Sequence, residues 1–217
     1  MKKTISLVLA VCMLCGLFVG CGVQGEGTVI TEFVYDNTNA VAEVGLKDDG
    51  FGDKDTGYFA ATGEGLLFAS VNGTDPRKLE WSKDDYSGSG LQAVVTGGNL
   101  NPWAEGAYVE VKVSTVGYKT VGFEALIGGT NKGPKDFSLQ YSTDGVNYTD
   151  TGDAYAITDN KVLETAFNVT LPDEAAGQET LYIRMAVASD KTIGGEVSLY
   201  GYTGGETAIG RLTVKGW

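Results

Sequence analysis

The sequence predicts an all-β fold, a single antiparallel β-sandwich of the jelly-roll kind, and three observations carry the prediction. Apolar and polar residues alternate with a period of two in one segment after another. The 32 glycines are spread through the chain and punctuate short apolar runs, as turns do in a β protein. Beyond the first twenty residues, no segment shows a 3.6-residue apolar period. Helices therefore cannot supply the second apolar layer that half-buried antiparallel sheets need, and that layer must be another sheet.

Taken in order, Val29 to Tyr35 reads as the first strand. Lys47 to Gly57 is polar and rich in Gly and Asp, and Ser70 to Gly98 also lacks a period, so both read as loops. The second of these carries Trp81. Val109, Val111 and Val113 alternate with Tyr108, Glu110, Lys112 and Ser114, which turns one face inward and one to solvent. Val121, Phe123 and Ala125 predict a further strand, and Phe137, Leu139 and Tyr141 another. Asp144-Gly145 then predicts a hairpin, as a type I′ turn or a bulged variant, because Asp and Gly accept positive φ cheaply. Leu163, Thr165, Phe167, Val169 and Leu171 form a longer stripe, Leu181, Ile183, Met185 and Val187 the next, and Leu212 and Val214 the last. No second boundary and no fixed-period repeat interrupts residues 28–217, which read as one domain.

The chain opens with Lys2 and Lys3, followed by an apolar stretch from Ile5 to Val19, the pattern of a signal peptide over residues 1–20. A membrane span needs about 20 apolar residues, and this stretch is shorter and runs into Gly-rich sequence. Leu17-Phe18-Val19-Gly20-Cys21-Gly22 resembles a bacterial lipobox, with Phe18 at the position where leucine is usual. The resemblance implies lipid on Cys21, a short tether over residues 21–27, and an exported envelope protein anchored to a membrane and facing outward. All three cysteines, Cys12, Cys15 and Cys21, lie in or at the end of the leader, so the body forms no disulfide. A diacylglyceryl cysteine brings two acyl chains, which meets the requirement of stable anchoring for more than one.

The chain has 16 Lys and Arg against 28 Asp and Glu, a net charge of −12; without the two leader lysines the balance is 14 against 28, or −14. Such a surface repels phosphate backbones and speaks against nucleic acid as a partner. There is no histidine, and no cysteine after Cys21, which removes Ser-His-Asp and Cys-His chemistry and makes zinc a poor fit. Paired carboxylates alternating along one strand, as glycosidases on β-sandwiches carry them, are not found either. Glu110 and Glu124 read as the solvent side of their strands, and the chain reads as no enzyme. Asp48, Asp49, Asp53 and Asp55 cluster in a Gly-rich loop, where hard oxygen ligands would suit a structural calcium ion. The loop lacks the EF-hand order of acids, and the alternative is a solvated acidic loop with no cofactor.

From about Trp103 onward the sequence resembles a β-sandwich module of bacterial surface nucleases, phosphoesterases and cell-wall proteins, of the galactose-binding and carbohydrate-binding kind. The resemblance rests on Val113-Ser114-Thr115-Val116-Gly117-Tyr118-Lys119-Thr120-Val121, on Gly133-Pro134-Lys135-Asp136-Phe137-Ser138-Leu139-Gln140-Tyr141-Ser142-Thr143-Asp144-Gly145-Val146-Asn147-Tyr148, and on Leu181-Tyr182-Ile183-Arg184-Met185. It implies a non-catalytic module that binds glycan or another cell-surface ligand. Where the family carries an Arg-Ile-Asp-Asn-like run, this chain reads Ala208-Ile209-Gly210-Arg211. Sugar binding asks for exposed aromatic faces, and Trp103, Trp81, Tyr86 and Tyr118, outside the alternating stripes, are the expected ligand-binding residues. The expected partner is a polysaccharide or a surface protein; the alternatives are an adhesive protein that binds other proteins and, third, an unrecognised hydrolase.

Mass spectrometry of the native N-terminus is expected to find a diacylglyceryl group on Cys21, and Cys21→Ala to release the protein or stall its processing. A mature chain that starts elsewhere without lipid would contradict the lipobox reading.

Overall fold

The structure, a computed structural model, describes residues 26–35, 52–82, 86, 92–98 and 102–217. Two antiparallel sheets face each other. Sheet A runs β12 (Glu164–Thr170), β9 (Val121–Gly129), β14 (Glu206–Gly216), β1 (Thr28–Val34), β4 (Thr62–Gly63), with β6 (Glu80–Ser82) paired to β7 (Gln92–Thr96) and β7 to β14. Sheet B runs β11 (Thr149–Ala156), β10 (Asp136–Ser142), β13 (Leu181–Val187), β8 (Tyr108–Val113), β5 (Gly65–Ser70), β3 (Gly57–Phe59), β2 (Gly52–Asp53). The β-sandwich that the alternation predicts is the architecture of the protein. Among the described residues, the one helical element is a single 3₁₀ turn, Asp173–Ala175.

The core forms where the inward-facing residues of both sheets meet. Phe33, Phe123, Ile127, Leu212 and Val214 come from sheet A; Leu67, Val111, Leu139, Leu181 and Ile183 come from sheet B; all are at most 1% exposed. Each follows from the period of two, which sends alternate side chains to one face. Strand β12 breaks its predicted stripe at a bulge between Thr165 and Phe167, so that Thr165 is exposed while Ala166 and Phe167 are both buried.

Two loops share one construction. Ser70-Val71-Asn72-Gly73-Thr74-Asp75 follows β5, and Ser142-Thr143-Asp144-Gly145-Val146-Asn147 follows β10. In the second, the Ser142 hydroxyl accepts from the amides of Asp144 and Gly145, Asp144 Oδ1 accepts from the amides of Val146 and Asn147 at 2.8 and 2.7 Å, and Asn147 Nδ2 donates to Asp144 Oδ2. Ser70, Asn72 and Asp75 repeat the pattern, with Asn72 in the aspartate's place. These bonds, led by those from Asn147, hold the Asp144 carboxyl far below the usual carboxylate range. Gly145 has φ +73° and Gly73 +80°, but Asp144 does not take positive φ, so the predicted hairpin closes through this longer side-chain-bonded loop and not a type I′ turn. Because β5 and β10 flank the central β8–β13 pair, the two loops lie at opposite ends of sheet B.

Two segments read as loops contain strands. Within 47–57, Gly52 pairs with Tyr58 and Asp53 with Gly57; within 70–98, Glu80, Trp81 and Ser82 pair with Val94, Ala93 and Gln92. These strands have two to five residues, too few for alternation to show. In β7, Ala93, Val94 and Val95 are all buried, because Val94 faces a small satellite cluster with Tyr86 and Ala208 outside the main core.

Trp103 is 1% exposed and locks one end of the sandwich. Its indole Nε1 donates to the Gly204 carbonyl at 2.9 Å, and its ring lies on Gly97, where a Cβ would come within 2.6 Å of Cδ1. Its backbone amide donates to Tyr202 and its carbonyl accepts from Gly201. The side chain thus fastens the entry to β14 to the exit of β7. Trp103→Ala is expected to cost about 3–5 kcal/mol of stability, read as a lowered denaturant midpoint; an unchanged midpoint would show that the ring is not a plug.

Candidate functional site

The aromatic residues expected to bind ligand do not converge. Trp103 is buried as described, and Tyr86 is 0% exposed, its hydroxyl donating to Glu206 Oε2 at 3.1 Å. Neither presents a face to solvent, so neither is a stacking platform. Tyr118 is half-buried, its ring laid against Gly216. Gly204, the contact of Trp103, precedes β14, and Gly216, the contact of Tyr118, ends its eleven residues, about 35 Å of extended chain. They cannot share a small site. Trp81 lies in β6 and not in a loop, and its side chain is outside the described residues, as is Cys21.

The aspartate loop divides likewise. Asp48 and Asp49 lie outside the described residues. Asp53 Oδ1 accepts from the amides of Asp55 and Thr56 and from the Thr56 hydroxyl, at 2.7 to 2.9 Å, and Asp55 pairs with Lys54 at 2.7 Å. The bonds from Thr56 and Asp55 hold the Asp53 carboxyl below the usual carboxylate range, and this carboxylate anchors its turn. Among the described residues, no group of three or more His, Cys, Asp or Glu comes together to hold a metal ion.

A groove of about 600 Å³ instead crosses the outer face of sheet A. Its floor follows from register. Thr170 of β12 sits opposite Gly122 of β9, Gly122 opposite Lys215 of β14, and Lys215 opposite Val29 of β1. The row beside it is Asn168, Glu124, Thr213, Glu32. Four strands thus contribute to one floor, spanning about 14 Å at ordinary strand spacing. Lys215 Nζ donates to Glu124 Oε1 at 2.6 Å, and the Thr213 hydroxyl donates to Glu32 at 3.1 Å.

Trp217 walls this groove. Its indole rests on Gly27 and Gly122: a Cβ at Gly27 would lie 2.5 Å from Cε2, and one at Gly122 3.0 Å from Cη2. Glycine at both positions is what lets a partly exposed indole lie along the sheet. The groove therefore presents an aromatic wall, an amide at Asn168, a hydroxyl at Thr170, a carboxylate at Glu26 and a neutralised ion pair. The sequence held a signal for it: continuing the period of Leu212 and Val214 turns Thr213, Lys215 and Trp217 outward together.

The outer face of sheet B is also ordered. Glu110, expected on the solvent side, is only 6% exposed, because Arg184 and Tyr148 cover it. Arg184 Nε and Nη2 each lie 2.9 Å from Glu110 Oε2, and the Tyr148 hydroxyl donates to the same oxygen at 2.5 Å. The guanidinium lies between the rings of Tyr108 and Tyr148, 3.9 and 3.6 Å from their centroids. Burial, and then the bond to Glu110, push the Tyr148 hydroxyl well above the ordinary phenol range.

No family model and no curated protein matches the chain. Similar solved structures include a carbohydrate-binding module CBM36 in complex with calcium and xylotriose, at 15% identity and a TM-score of 0.36, covering 69% of this chain and 99% of that one. Another is TmCBM61 in complex with β-1,4-galactotriose, at 11% identity and a TM-score of 0.41, covering 80% and 99%. A third is the N-terminal cellulose-binding domain of β-1,4-glucanase C from Cellulomonas fimi, at 12% identity and a TM-score of 0.35, covering 70% and 88%. By name all three bind carbohydrate, the class of module that the second half of the sequence resembles.

Proposed function

We propose that the protein is a non-catalytic glycan-binding module, displayed outside the cell by lipid on Cys21, and that a neutral polysaccharide lies in the groove across sheet A. The observation that carries this reading is the wall formed by Trp217 over a floor of hydrogen-bonding side chains. Pyranose rings have an apolar face suited to an indole and hydroxyls suited to Asn168, Thr170, Glu124 and Lys215. A neutral ligand is favoured because Glu124 and Lys215 neutralise each other and the body carries −14, which repels polyanions. The absence of histidine, and of cysteine after Cys21, supports binding in place of catalysis. A calcium ion at the aspartate loop has no part in this reading.

Xylan, β-1,4-galactan and hydroxyethyl cellulose are suitable first probes, being related to the sugars that the three similar structures name. In affinity electrophoresis, at least one is expected to retard the protein, and Trp217→Ala to weaken that retention at least tenfold, about 1.4 kcal/mol, with the melting midpoint little changed. If none of the three retards the wild type, or Trp217→Ala is retarded equally, the assignment fails.

A further inference from the structure

Sheet B carries a second concavity. A cavity of about 440 Å³ is lined by Phe59, Leu66, Lys112 and Val113 of this sheet and by Gly63 of β4 in sheet A, with Glu64 and Glu179 among its charged residues. Phe59 is 50% exposed; the other large apolar residues exposed to this degree among the described residues are all valines. Register again explains the assembly. Phe59 of β3 sits opposite Leu66 of β5, Leu66 opposite Lys112 of β8, and Lys112 opposite Tyr182 of β13, so one row across the sheet reads Phe, Leu, Lys, Tyr. Lys112 Nζ lies 5.6 Å from the Tyr182 ring centroid, which places its charge along this row.

We infer that this cavity is a second, independent glycan site, and that the module binds two saccharide chains at once, one on each sheet. The inference rests on the glycan reading for its ligand class. The chemistry parallels that of the groove: an exposed ring for the apolar face of a pyranose, an aliphatic floor, carboxylates to accept from hydroxyls and an ammonium to donate to them. Two carboxylates against one lysine again disfavour an acidic sugar. The floor of the groove is built by strands of sheet A and the row Phe59, Leu66, Lys112 by strands of sheet B, so each site has its own floor. Two such sites join separate polymer strands and add avidity without any new contact.

The test is calorimetric titration of the full chain, and of its Phe59→Ala, Trp217→Ala and double variants, with xylohexaose, cellohexaose and β-1,4-galactotetraose. Expected are two sites per chain with at least one of these sugars, one site left in each single variant and none in the double variant. Glu179→Lys, in the same cavity as Phe59, is expected to weaken the Phe59 site several-fold, which keeps the test open if Phe59→Ala loses its fold. One site in the wild type, lost in Trp217→Ala and untouched by Phe59→Ala and Glu179→Lys, overturns the second site and leaves the groove reading standing. One site lost only in Phe59→Ala overturns both the pairing of sites and the groove. No binding of any of the three overturns both proposals.

Discussion

Sheet A depends on a single strand. Over its eleven residues β14 pairs with β9 along one edge, and along the other with β7 through Glu206–Ile209 and with β1 through Arg211–Gly216. The exchange of partners happens at Gly210, where the register against β9 shifts and the Gly210 carbonyl accepts from the amide of Tyr35. A bulge bends a strand and increases its twist, which lets β7 and β1 share one edge. Ala208 and Ile209 are fully buried at that point. Ala208-Ile209-Gly210-Arg211 is thus a structural joint. The groove side chains Lys215 and Trp217 lie at the other end of the strand.

That end is shaped by what glycine permits. The stacking of Trp217 on Gly27 needs an empty Cβ position there, since a Cβ would collide with the indole, and one at Gly122 would press tightly against it. Beside it, Glu124 and Lys215 pair diagonally and partly exposed, so their mutual stabilisation is small and they remain available to exchange partners with hydroxyls. Sheet B shows the contrasting case. Glu110 is nearly buried and is satisfied by Arg184 and Tyr148, and losing the arginine would leave an uncompensated buried charge, typically about 3–5 kcal/mol. The same residue types therefore stay open to solvent on one face and are locked in place on the other.

The sandwich was legible in the sequence because its long strands alternate cleanly: Val109, Val111 and Val113, and Leu181, Ile183 and Met185, need only the period of two. The short strands around Gly52, Tyr58 and Trp81 were not, since two or three residues hold no period and their pairing is decided by distant partners. The polar edge strand Thr149–Ala156 lacks the apolar face that alternation detects. Trp103 stood out of every stripe and read as exposed, yet its burial depends on Gly97 and the Gly204 carbonyl, far apart in sequence. Glu110 read as solvated because nothing local reveals that Arg184, seventy-four residues on, folds over it. Trp217 was reachable by extending the period of Leu212 and Val214, but the groove itself arises from four strands whose order no local pattern contains.

The proposed occupant of the groove built by β12, β9, β14 and β1 is a neutral saccharide. The most direct measurement is a backbone and indole amide NMR map recorded while a neutral β-1,4-linked hexasaccharide is added. Saturable shifts are expected at Gly122, Glu124, Asn168, Thr170 and Lys215 and at the Trp217 indole N–H. A map in which these stay fixed while signals elsewhere move would contradict this assignment.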